Sequence, residues 1–136
     1  MPIRKDLKPL YPPDWQAVSA GIRFGRAAGR CERCGRPHGQ CVLVCDDGTW
    51  IDPQDGRQYD GAGRCLGVRP VHDWPAGHFT VTVLTCAHLD QNPAHNAPTN
   101  LAALCQRCHL RHDRRQHVIS AWRTRRHRKA VGELFR

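Results

Sequence analysis

An α+β fold is what the sequence predicts, and three observations carry that expectation. Two Cys-x-x-Cys pairs, Cys31/Cys34 and Cys105/Cys108, lie far apart in the chain, as they would where one ion staples distant segments. Between them, "GHFTVTVLTCAHLD" sets Phe79, Val81 and Val83 in alternation with Thr80 and Thr82, the period of a strand with one buried face. From Leu101 onward Ala, Leu, Arg and Gln dominate and no proline interrupts them, which predicts a helix.

The totals fit a single domain with a modest core. Of 136 residues, 40% are hydrophobic and only 7% aromatic, so something besides apolar burial is expected to hold the fold. Lys and Arg outnumber Asp and Glu by 21 to 12, a formal charge of +9 that favours a polyanionic partner. The plainer alternative is a basic soluble protein without one. The N-terminus "MPIRKDLKPLYPPDW" has no apolar signal region, and no run approaches the ~18 apolar residues of a membrane span. A cytoplasmic protein with no membrane partner is therefore expected, where its eight cysteines mean metal rather than disulfide.

Along the chain, residues 1–13 carry four prolines and read as an extended basic arm before a single domain at 14–136. Trp15, Val18, Ile22 and Phe24 predict a helix, with Asp14 as N-cap and Gly29 as stop. "CVLVC" (41–45) is expected as a strand, "DDGTWIDPQDGRQYDGAGR" (46–64) as a polar loop, and "QNPAHNAPTN" (91–100) as a loop of turn formers. A basic helix is expected over 107–130, where nine Arg or Lys residues face one acid, Asp113. Trp122 is expected to anchor that helix to the domain.

Four thiolates from Cys31, Cys34, Cys105 and Cys108 make a closed tetrahedral set, so their ion is expected to be a structural zinc. Cys86 reads as a small core residue. Cys41, Cys45 and Cys65 with His38 allow a second zinc, but packing or free thiols is the favoured reading. His109 and Asp113, at i and i+4, share a helix face suited to a divalent ion, with His112 as the alternative partner. His88, at the end of the predicted strand, is the candidate base.

"CAHLDQNPAHNAPTNLAALCQRCHLRHD" (86–113) resembles the HNH endonuclease motif, and more closely the short phage and bacterial proteins with paired Cys-x-x-Cys knuckles. The family letters fall on His88, Asn100 and His109. The resemblance implies a ββα-metal (His-Me finger) core, with motif residues 79–113, a structural zinc, an N-terminal helix and a basic C-terminal helix. It implies that His88 is the general base, that Asn100 fixes the hairpin loop, and that His109 with Asp113 or Asp90 holds a catalytic Mg²⁺, Mn²⁺, Ni²⁺ or Zn²⁺. Arg111, Arg114, Arg115, Arg123, Arg125, Arg126, Arg128 and Lys129 are then expected on double-stranded DNA phosphates. No small-molecule substrate is expected, and the chain is expected to be a monomer. Two positions depart from the pattern: Ala87 stands where many relatives have a metal ligand, and Gln91 where the subgroup has histidine. These departures keep open a second reading, a zinc-stapled DNA-binding module with a degenerate site.

Overall fold

In a computed structural model, which describes residues 3–134, two antiparallel sheets and two helices make an α+β architecture. Met1 and Pro2 of the expected arm, and Phe135 and Arg136 of the expected domain, lie outside the described residues. No described helix is long and apolar enough to cross a membrane.

Helix α1 (Trp15–Ala20) runs on through a wider π-helical segment at Gly21–Arg26. Two glycines, Gly21 and Gly25, lie in this segment, where backbone freedom weakens the regular α ladder. Asp14 occupies the expected N-cap position, although its side chain makes no capping hydrogen bond. Trp15, Val18 and Ile22 form the packed stripe against Cys86, Leu101 and Ala103. Phe24 does not belong to it. It is largely exposed and meets the His38 ring edge-on at 5.1 Å.

The larger sheet has the order β4-β3-β2-β1-β5, from β1 (Cys41–Cys45), β2 (Trp50–Ile51), β3 (Arg57–Tyr59), β4 (Cys65–Val68) and β5 (Gly77–Val81). Gly77 lies so close to β1 that a methyl group there would collide with the Val44 carbonyl. The expected polar loop at 46–64 is mostly turns, with two short strands, β2 and β3, set into it. Asp47, Asp52 and Asp60 accept backbone amides within their turns, and the short strands between them bury Trp50 and Ile51. Trp50 stacks on Tyr59 at 4.2 Å and donates its indole N–H to the Cys34 carbonyl at 3.0 Å, tying this sheet to the first knuckle.

The smaller sheet pairs β6 (Leu84–His88) with β7 (Leu101–Cys105), His88 opposite Leu101 and Leu84 opposite Cys105. The single strand expected over 77–90 is two strands in two sheets. The break falls at Thr82, whose N–H donates to Gln40 and whose carbonyl accepts from Gly39. The burial is also inverted. Phe79, Val81 and Val83 are exposed, while Thr82 and Leu84 are buried at 0% and 1% exposure.

Helix α2 (Gln106–Leu134) begins at the residue after β7 and spans 29 residues, or about 43 Å. Cys108 is its one buried residue among those described. Trp122 does not anchor it; the indole is 54% exposed, with the Arg126 guanidinium 5.2 Å from its ring centroid. A helix so polar on every side draws little from packing beyond its first turns.

Candidate functional site

The Cys31 and Cys34 knuckle and the Cys105–Cys108 turn converge. Their four sulfurs are buried and lie within 4.8 Å of one another, and all are free thiols. Cys34 Sγ and Cys105 Sγ are 3.5 Å apart. A tetrahedral zinc with bonds of about 2.3 Å sets its sulfurs about 3.8 Å apart, so the four residues present fit that ion. Four cysteines leave no open position, which makes a structural site.

The surroundings fix the knuckles by other means as well. Glu32 holds Arg26 through two 2.9 Å contacts and also accepts from the Ala103 amide at 2.7 Å. Gly63, at φ +83, lies against the backbone of Cys34, where a side chain would have only 3.1 Å of clearance. Leu84, Ala87 and Leu104 close the apolar pocket round the sulfurs. Ala87 packs in this cluster and also borders the cleft beside His88, and its methyl group offers an ion no ligand there. Cys86 packs among Ile22 and Ala103, and burial raises its thiol to about 11. Cys41 and Cys65 are exposed, Cys45 is buried, and His38 Nδ1 accepts from the Leu84 amide at 3.0 Å. Among the described residues these four do not gather into a metal site.

A second constellation sits beside the first. His88, His109, Asp113 and Gln91 line one cleft of about 210 Å³, bordered by Leu7 and Tyr11 of the N-terminal segment. That segment is not extended: Lys8–Leu10 forms a short 3-10 turn that returns the chain to the cleft. Tyr11 meets the His88 ring edge-on at 5.5 Å, and Trp15 stacks on it at 5.0 Å. His88 Nε2 lies 2.8 Å from Asn96 Oδ1. The Asn96 amide is oriented by its own donation to the Pro93 carbonyl at 3.0 Å, so its oxygen faces the ring. An oxygen without hydrogen can only accept, so Nε2 is the donor in this pair, and in the neutral ring the lone pair lies on Nδ1.

His109 Nε2 stands 3.0 Å from Asp113 Oδ2, and His109 Nδ1 stands 2.8 Å from Thr85 Oγ1. Burial lowers the proton affinity of His109, which keeps the ring neutral despite its neighbouring carboxylate. Gln91, held at φ 61, reaches Asp113 Oδ1 at 3.4 Å. Asp90 points elsewhere. It accepts from His95 at 2.7 Å, from the Asn92 amide and from Asn100, and these contacts hold its carboxyl down to about 2. Asn100, buried, ties the loop by donating to Asp90 and to the His95 carbonyl at 2.8 Å each, while its oxygen accepts the Asp90 amide.

His112 has a role that sequence reading missed, where it stood as an alternative partner to His109. Its Nε2 meets the Leu89 carbonyl at 2.9 Å and its Nδ1 meets Arg33 at 3.1 Å, so it bridges α2 to the end of β6 and the first knuckle. Thr85 and Asn96 were also missed, and only register across β6 and the loop fold could reveal them. The eight expected phosphate-binding cations, Arg111 to Lys129, are all exposed on α2. Comparison with family models, with curated proteins and with solved structures gave no match. The class that the site itself defines is a protein with a buried four-cysteine centre able to hold a metal such as zinc.

Proposed function

We propose that this chain is a metal-dependent DNA endonuclease or nickase of the ββα-metal type, stapled by a structural zinc. The observation that carries the reading is the convergence of His88, His109 and Asp113 on one cleft, where an antiparallel strand pair runs straight into a helix. Nε2 of His109 and Oδ2 of Asp113, at 3.0 Å, have the spacing of two ligands at right angles round an ion about 2.1 Å from each. Thr85 then supports His109 from behind, as a hydrogen-bonded partner does for a ligating imidazole.

In this reading His88 Nδ1 accepts a proton from water, and the water oxygen attacks phosphorus in line with the departing 3′-oxygen. The new P–O bond forms as the P–O3′ bond breaks, and the 3′-oxygen takes a proton from solvent. A divalent ion supplies charge stabilisation for the pentacovalent phosphate and the departing oxygen. Asn96 holds the base in its Nε2–H tautomer, and Trp15 and Tyr11 fix the ring plane. Asn100 and Asp90 keep the 89–100 loop in shape.

A second reading has its own support. The cleft offers the ion two protein ligands, because Ala87 at its edge carries no donor atom and Asp90 is engaged in its loop. A zinc-stapled DNA-binding module with an inactive cleft would look the same. Plasmid cleavage with Mg²⁺, Mn²⁺, Ni²⁺ or Zn²⁺ decides between them. Relaxation by the native protein and its loss in His88→Ala supports the enzyme. Equal activity in both sinks the base assignment, and DNA binding without cleavage under every ion supports the module.

A further inference from the structure

On the other side of α2 from the cleft, a groove of about 730 Å³ runs between that helix and strands β1 and β5. Arg36 lines it and is 3% exposed, and its Nε is buried with no hydrogen-bond partner. No ion pair found among the described residues includes Arg36. A buried guanidinium N–H without an acceptor is costly, and guanidinium cannot discard its proton to escape that cost. Such a group is stable only where an anion or water completes it.

The groove supplies more positive charge rather than a neutralising acid. Arg107, Arg111 and Arg114 line the same space as Arg36, with His78 across from them and no Asp or Glu in the lining. At about 100° per residue these three arginines lie roughly 140–160° round α2 from His109. They therefore face away from the cleft, and two of the expected phosphate contacts, Arg111 and Arg114, lie on the groove side of the helix. Gln106 braces the corner of the groove, donating to the Val81 carbonyl at 2.8 Å and accepting the Val83 amide at 3.1 Å.

We propose that this groove is a phosphate-binding site, with the Arg36 guanidinium as its buried anchor and Arg107, Arg111 and Arg114 as its wall. Arginine suits the task because its planar fork meets two phosphate oxygens at once. The phosphate comes either from a DNA backbone or from free phosphate in solution. The inference does not depend on the nuclease reading, since it concerns holding an anion and no bond is broken.

Binding of a short DNA duplex across a salt series, and of inorganic phosphate followed by the NMR signal of Arg36 Nε–H, tests it. A duplex on the groove predicts about tenfold weaker binding by Arg36→Gln, and a salt dependence shallower by about one phosphate contact. Arg36→Lys, which keeps the charge, recovers part of the affinity. Unchanged DNA affinity, together with a millimolar phosphate titration that moves the Arg36 signal, assigns the groove to free phosphate and equally supports the site. If neither DNA nor phosphate perturbs Arg36 in the native protein, water alone satisfies it and the proposal is overturned. The native-protein titration does not require the variant to fold. His88→Ala leaves this binding intact, so loss of cleavage and loss of anion binding are read separately.

Discussion

The imidazole of His88 lies face to face with the indole of Trp15, ring centroids 5.0 Å apart and planes inclined by 16°. Helix α1 thereby reaches through the packed stripe of Ile22 and Val18 to the one ring on β6 that faces the cleft. An aromatic pair of this kind adds about 1 kcal/mol beyond the area it buries. Trp15→Phe keeps most of that contact, whereas Trp15→Leu keeps bulk and loses the stack. We expect Leu to cost about 1 kcal/mol more than Phe in urea unfolding, and to broaden the His88 ring signals.

Asn96 sets which nitrogen of His88 bears the proton. In Asn96→Ala the Nε2–H loses its acceptor, and the bias towards that tautomer falls to the weaker intrinsic preference of a free imidazole. Ring ¹⁵N shifts of His88 should move from the Nε2–H pattern towards the average, and any cleavage should fall by roughly tenfold through kcat with KM little changed. An unaltered tautomer in the variant would mean that another group holds the ring.

The four-cysteine centre should bind close to one zinc per chain. Zinc binding contributes on the order of 10 kcal/mol in small metal-folded domains, comparable to a whole domain's stability. Chelation, or Cys105→Ser, should abolish the cooperative thermal transition. Thiolates take up protons as pH falls, so zinc should be released on acidification, and pH-dependent zinc release measured with a metal indicator checks the direction. A folded, zinc-free Cys105→Ser protein would contradict the structural role.

Asp90 tests the 89–100 loop. Its carboxyl, held down to about 2 by His95, the Asn92 amide and Asn100, is depressed relative to an unfolded value near 3.9. The stabilisation is therefore present above the unfolded value and is lost as pH falls through the folded one. Asn100→Ala removes one partner and should raise the Asp90 midpoint in a carboxyl ¹³C titration. It should also free the Asp90 amide, which now donates to Asn100 Oδ1 at 3.1 Å.

The paired Cys-x-x-Cys signal was legible because thiolates at that spacing have few other uses, and the four sulfurs do converge. The start of α1 and the strand Cys41–Cys45 were also within reach of simple patterning. The polar segment 46–64 hid its sheet for a physical reason. Its strands are two and three residues long, too short to display a period, although Asp47-Gly48 and Asp55-Gly56 are the dipeptides that close hairpins. The run at 77–90 misled because alternation survives a change of sheet. Thr82 turns the chain by pairing with Gln40 and Gly39, partners that no local pattern can reveal. At the cleft, residue types announced His88, His109 and Asp113, while Asn96, Thr85 and His112 act through contacts fixed only by folding.

Cys108 and His109 are successive residues at the start of α2, one turned to the buried sulfurs and the other to the cleft. In the zinc-stapled reading, a newly made chain without its ion would lack a fixed axis for that helix, and would not bring His109 and Asp113 to Thr85 and Gln91. Metal supply would then act as an assembly checkpoint for the cleft. An oxidant that joined two of the four thiols would dismantle the cleft without touching any residue that lines it.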